Sequence, residues 1–95
     1  MSLKVLIVDE THSLLMNRLA EKGFVCHYQP QITYQQVLDC IENYDGMVVR
    51  TKFRVEKELF DKATNLKFIG RAGAGMDNID VDYAALKKVE LFNAP

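Results

Sequence analysis

Apolar residues along the chain fall into two alternating patterns. Nearly continuous aliphatic runs stand at Lys4-Val5-Leu6-Ile7-Val8-Asp9, Met47-Val48-Val49 and Leu66-Lys67-Phe68-Ile69-Gly70, with shorter ones at Phe24-Val25-Cys26-His27-Tyr28 and Glu90-Leu91-Phe92. Runs of this length, rich in β-branched residues, predict strands, and the longest predicts a central strand buried on both faces of a parallel sheet. Between them the apolar spacing widens to that of a helix. From Ser13, the residues Leu14, Leu15, Leu19 and Ala20 share one face opposite Arg18, Glu21 and Lys22, and Gly23 is placed to close the helix. Thr33-Tyr34-Gln35-Gln36 has the form of a capping box, followed by Val37, Leu38 and Ile41 at helical spacing to about Glu42. Val55 to Ala63, with Leu59, Phe60 and Ala63 inward, predicts a third helix. Val81 to Lys88, capped by Asp80 and with Tyr83, Ala84 and Leu86 inward, predicts a fourth.

Strands that alternate with helices imply an α/β fold, a parallel sheet with helices on both faces and right-handed crossovers. Five strands in the order 2-1-3-4-5 would make this a flavodoxin-like three-layer fold, whose binding crevice lies at the C-terminal ends of the strands where the winding reverses. Asp9 to His12, Arg50 to Lys52, Arg71 to Gly75 and Asn93 to Pro95 then share one rim. No repeat, linker or low-complexity stretch divides residues 1–95, which read as one domain.

Composition narrows the function. Hydrophobic residues make up 48% of the chain, enough for a modest core. The 12 basic and 13 acidic side chains are spread without a like-charge block, so neither nucleic acid nor a membrane surface has electrostatic support as a partner. No apolar run approaches the roughly 18 residues of a membrane span, and the N-terminus lacks the basic and apolar parts of a signal peptide; a cytoplasmic protein is expected. Cys26 and Cys40 have no metal-ligand spacing and are expected to be buried thiols in a reducing compartment.

The stretch Gly70-Arg71-Ala72-Gly73-Ala74-Gly75 places three glycines within six residues, between a strand and a helix. Such a loop lets backbone N–H groups approach an anion, and Arg50 and Arg71 offer planar forks for carboxylate or phosphate. Locally, solvated strand-end arginines and a turn made by glycines account for the stretch equally well. It is a poor dinucleotide fingerprint, because Asn78 stands where a third glycine is needed and the loop follows the fourth strand. Asp9-Glu10 at the first strand tip suggests a phosphoacceptor receiver, but Arg50 occupies the place of its nucleophilic aspartate. His12 reads as a surface or capping residue, Tyr44 and Tyr83 as packing residues, and Lys52 and Arg54 as solvated charges. No metal site can be assembled.

Tyr44-Asp45-Gly46-Met47-Val48-Val49-Arg50-Thr51, then Asn65 to Asp80, then Asn93-Ala94-Pro95 together resemble the first domain of the D-isomer-specific 2-hydroxyacid dehydrogenases. The likeness runs through nearly the whole chain in order and spacing, and Gly-Arg-Ala-Gly-x-Gly-x-Asp-Asn-Ile-Asp is its specific part. The resemblance implies a two-domain enzyme that oxidises or reduces a D-2-hydroxy acid with NAD or NADP bound between the domains. It also implies that Arg50, Thr51, Arg71, Ala72, Gly73, Ala74 and Gly75 hold a small anionic hydroxy acid or phospho-hydroxy acid, the loop through its N–H groups. Asp77, Asn78 and Asp80 are implied to brace the turn. The family's cofactor loop and catalytic Arg, Glu and His belong to a nucleotide-binding domain absent from these residues. No catalytic residue is therefore assigned, no cofactor is expected to bind this fragment tightly, and the fragment alone is expected to be inactive. The family's first domain also receives a returning C-terminal helix; without it, apolar surface is expected to be exposed or covered by a second copy in a homo-oligomer. Lys87-Lys88-Val89-Glu90 departs from the family, which usually carries a glycine just before the last strand. A stand-alone anion-sensing or interaction module remains the alternative, with a receiver-like domain behind it.

Overall fold

Five parallel strands, β1 (Lys4–Ile7), β2 (Val25–Tyr28), β3 (Gly46–Val49), β4 (Phe68–Arg71) and β5 (Glu90–Asn93), lie in the order β2-β1-β3-β4-β5. The computed structural model describes residues 3–10, 13–50, 53–72 and 78–93. Four helices connect the strands: α1 (Ser13–Glu21), α2 (Tyr34–Cys40), α3 (Lys57–Lys62) and α4 (Val81–Leu86).

The sheet divides two unequal layers. On one face Leu6, Val8, Met47, Val49 and Ile69 pack with Val37 and Ile41 from α2 and its 3₁₀ extension, Leu59 and Phe60 of α3, and Ala84 of α4. On the other, Val5, Ile7 and Val48 meet Met16 and Leu19 of α1, with Phe24, Cys26 and Phe68 beside them. Helices thus cover both faces, as expected, but among the described residues α1 is the helix that packs on the second. Phe92 on β5 stays half-exposed there, with its ring 6.3 Å from that of Phe68.

The local signals hold in detail. The Thr33 hydroxyl accepts the Gln36 N–H at 3.2 Å while Gln36 Oε1 accepts the Thr33 N–H at 2.9 Å, closing the capping box. Asp80 Oδ1 accepts the Tyr83 N–H at 3.0 Å and starts α4. Gly23 ends α1 with φ +89°, and the Phe24 N–H reaches back to the Leu19 carbonyl at 3.1 Å. Lys88 makes the same exit from α4: its φ is +60° and the Val89 N–H meets the Ala84 carbonyl at 2.9 Å. The chain therefore keeps the turn that a glycine would favour while carrying a side chain in it.

Several expectations change. Val55 lies outside α3, because it forms a parallel bridge with Ile79 and both are buried. Ala20 and Leu86 face outward, Leu86 being 71% exposed, since neither helix packs over the length its apolar pattern suggests. The side chains of Leu14 and Leu15 lie outside the described residues. Cys26 and Cys40 are half-buried free thiols on opposite faces of the sheet, each pushed up by burial.

At the N-terminal edge of the sheet, Asp45 ties three strand starts together. Its Oδ2 accepts the Lys4 N–H and its Oδ1 accepts Lys67 Nζ, both at 2.9 Å, while its carbonyl accepts the Lys67 N–H at 2.7 Å. The Lys4 N–H and then Lys67 hold the carboxyl below its ordinary value.

Candidate functional site

Parallel pairing sets Val49 beside Arg71 and Arg71 beside Asn93, so β3, β4 and β5 end together. The C-terminal rim therefore gathers Asp9 and Glu10 after β1, Arg50 after β3, and Arg71 at the tip of β4. Arg50 is exposed, while Arg71 is 8% exposed, on the same side of β4 as Ile69.

The backbone of Arg50 is held by side chains. Its N–H donates to Asp9 Oδ2 at 2.7 Å, and its carbonyl accepts from Asn78 Nδ2 at 2.9 Å. Arg50 Nη1 also donates to the Glu10 carbonyl at 3.3 Å. Asn78 is buried and links separate parts of the rim: Nδ2 donates as well to the Phe53 carbonyl at 2.8 Å, and Oδ1 accepts from Arg71 Nε at 2.7 Å. The chemistry fixes the amide's orientation, since a reversed amide would face oxygen to two carbonyls and N–H to a guanidinium. The Val55 N–H donates to the Asn78 carbonyl at 2.7 Å and the Asp80 N–H to the Val55 carbonyl at 2.8 Å, so the segment after β3 is laced to the segment before α4.

Of the expected site residues, the rim brings together Arg50, Arg71, Ala72 and Asn78, with Asp80 one step behind as the cap of α4. The Ala72 N–H donates to the Val49 carbonyl at 2.9 Å, which carries the β3–β4 ladder one residue past the sheet. Thr51, Gly73, Ala74, Gly75 and Asp77 lie outside the described residues, as do His12 and Lys52. Tyr44 and Tyr83 work elsewhere: the Tyr44 hydroxyl lies 2.7 Å from His27 Nδ1, and the Tyr83 hydroxyl donates to Asp61 at 2.6 Å, joining α4 to α3. Sequence reasoning missed Asp9 as the brace of Arg50. An acidic residue at a strand tip signals either a ligand or a backbone acceptor, and only the neighbouring strand decides which.

The described residues give a dinucleotide no cradle. Helix α4 has six residues, its first turn is capped by the Asp80 carboxylate, and Asp82 follows in that turn. Two carboxylates at the positive end of a helix dipole oppose a pyrophosphate there. Among the described residues no group of three or more His, Cys, Asp or Glu side chains is placed to hold a metal ion, and no helix is long and apolar enough to cross a membrane.

Residues 5–95 match the family model for the catalytic domain of the D-isomer-specific 2-hydroxyacid dehydrogenases, and the chain belongs to that family. It is 39% identical over 92 residues to D-3-phosphoglycerate dehydrogenase of Methanocaldococcus jannaschii and 36% identical to that of Bacillus subtilis, each over 97% of the chain. The chain spans 17% of the length of both relatives. Among solved structures, NAD+-bound 3-phosphoglycerate dehydrogenase of Entamoeba histolytica superposes with a TM-score of 0.84 at 24% identity, covering 100% of this chain and 33% of that one. A glyoxylate reductase from Paecilomyes thermophila gives 0.80 at 23% identity over 99% of this chain and 32% of its own. These likenesses in shape bear out the fold.

Proposed function

We propose that the chain is the substrate-binding part of an NAD- or NADP-dependent D-2-hydroxyacid dehydrogenase whose substrate is a phospho-hydroxy acid of the 3-phosphoglycerate kind. The observation that carries the reading is an exposed arginine and a buried one braced on the same rim, Arg50 through Asp9 and Arg71 through Asn78. Arg71 is held through its own Nε and Arg50 through the backbone N–H from which its side chain springs, and two guanidinium groups so mounted suit a ligand with two anionic ends. The phosphoglycerate dehydrogenases of M. jannaschii and B. subtilis among the relatives support that choice.

In this reading Arg50, Thr51 and Arg71 attract the substrate, and the backbone N–H groups of Gly73, Ala74 and Gly75 receive its carboxylate, that of Ala72 being engaged by the Val49 carbonyl. Asp77, Asn78 and Asp80 hold the loop. The nicotinamide cofactor supplies the hydride acceptor or donor, and it sits with the proton-transfer groups on a nucleotide-binding domain outside these 95 residues. The setting is cytoplasmic. By itself the chain binds substrate weakly and turns nothing over, because one wall of the cleft is elsewhere.

Calorimetric titration with 3-phosphoglycerate and with simple hydroxy acids tests this. Phosphoglycerate should bind more tightly than D-lactate, and Arg50→Ala should weaken it about tenfold or more, the worth of one charge-assisted contact. Equal binding by wild type and Arg50→Ala removes Arg50 from the site. Turnover of NAD by the purified chain contradicts the assignment of the chemistry to another domain.

A further inference from the structure

Neither backbone polar group of Arg50 is satisfied by the sheet ladder. The N–H is taken by Asp9 and the carbonyl by Asn78, so the position of Arg50 depends on two side chains. One of these, Asn78, also holds Nε of Arg71 at 2.7 Å, which fixes the rotation of that guanidinium about its own stem. The same amide thus touches the mounting of both arginines, although it sits in neither strand. Its Nδ2 bond to the Phe53 carbonyl at 2.8 Å anchors the far end of the segment that follows Arg50. Every one of these bonds is short, and Asn78 is 9% exposed, so water does not readily replace it.

We propose that Asn78 is a positioning residue that sets the separation of Arg50 and Arg71 and so selects ligands with two anionic ends over those with one. The inference rests on the functional reading above and deepens it. Asn78 acts through the two arginines. Asparagine suits the task because it presents two donors to carbonyls at one end and an acceptor to a guanidinium at the other. Aspartate would keep the contact with Arg71 but turn lone pairs toward the carbonyls of Arg50 and Phe53, driving the two mountings apart.

The experiment compares 3-phosphoglycerate with D-glycerate, which lacks the phosphate, by NMR titration of the purified chain and its Asn78→Asp and Asn78→Ser variants. Thr33→Ala, which loses the cap of the distant helix α2, is a control for stability alone. The expected result is that both Asn78 variants lower the preference for 3-phosphoglycerate about tenfold, and Thr33→Ala leaves it unchanged. On an Arg50→Ala background, Asn78→Asp should add less than about a twofold further loss, because the preference depends on the separation of two guanidinium groups and one is already gone. A folded Asn78→Ser that keeps the wild-type preference overturns the proposal, as do losses that multiply in the double variant. If wild-type protein binds neither acid, the functional reading fails, and the Arg50 carbonyl-carbon and Arg71 Nε–H resonances then decide, since these are the groups that Asn78 touches. Both must move in Asn78→Ser; an unmoved Arg50 carbonyl carbon overturns the coupling independently of any ligand.

Discussion

Gly46 opens β3 directly beneath Phe68, its partner across the β3–β4 ladder. A Cβ built on Gly46 would lie 2.5 Å from Cε1 and Cε2 of the Phe68 ring and closer still to Cζ. Carbon atoms in good contact stand about 3.5–4.0 Å apart, so the ring would have to retreat by more than about 1 Å. Phe68 has little room for that, since Phe24 meets it edge-on at 5.6 Å and Phe92 at 6.3 Å. Displacing the ring forfeits both aromatic pairs, about 0.5–1.5 kcal/mol each. Replacing glycine in a strand returns about 0.5–1 kcal/mol of chain entropy, which leaves Gly46→Ala less stable by about 1–2 kcal/mol. For a domain of this size the melting temperature should fall by roughly 5–15 °C. Urea unfolding followed by circular dichroism measures the loss, and Phe68→Leu supplies the decisive partner. With the ring gone, Gly46→Ala should cost almost nothing further, so the two substitutions should fall well short of additive. If Gly46→Ala is as stable as wild type, or if the two costs simply add, the ring is not what demands glycine at this position.

Other outcomes follow from the same structure. Lys88→Gly should stabilise the chain by about 0.5–1 kcal/mol, because Lys88 pays for a left-handed backbone that glycine adopts freely; thermal melts of the two proteins give the value. Asp45 has a folded-state pKa below its ordinary 3.8, so its contribution to stability is complete above that value and is lost as pH falls through the lower one. Asp45→Asn should therefore be less stable than wild type by about 1 kcal/mol at pH 6, with the gap closing as the pH approaches 2. Urea midpoints between pH 2 and pH 6 would show it. Asp61, drawn down by Lys57 first and then by Tyr83, titrates in the same direction, but its side chain is 38% exposed and solvent screens the effect.

Much of the fold was legible because its signals are local. Aliphatic runs, a capping box, the Asp80 cap and Gly23 each act within a few residues, and they place every strand and helix to within a few positions. The errors arose where a distant partner decides. Val55 has helical spacing with Leu59, yet its N–H is claimed by Asn78, more than twenty positions away. Leu86 completes an apolar stripe that finds no neighbour to cover it. The described part of the rim, Asp9, Arg50, Arg71 and Asn93, was legible as a list of residues, since parallel topology alone brings strand ends together. The connections among them were not, because a buried asparagine has the same letter whether it braces a turn or joins two arginines.

Asp45 has a further consequence for how the chain reaches one structure. Strands β1, β3 and β4 run parallel, so no tight hairpin turn fixes which residue stands opposite which. A slip of one residue would exchange the faces of a strand, and β1 is apolar on both, so burial alone punishes the error weakly. One carboxylate that must meet the Lys4 N–H and the Lys67 ammonium penalises any such slip, because a shifted strand leaves the charge without its partners. The residue thus does for a parallel sheet what the turn does for a hairpin, and it does so with charge placed at the edge opposite the C-terminal rim.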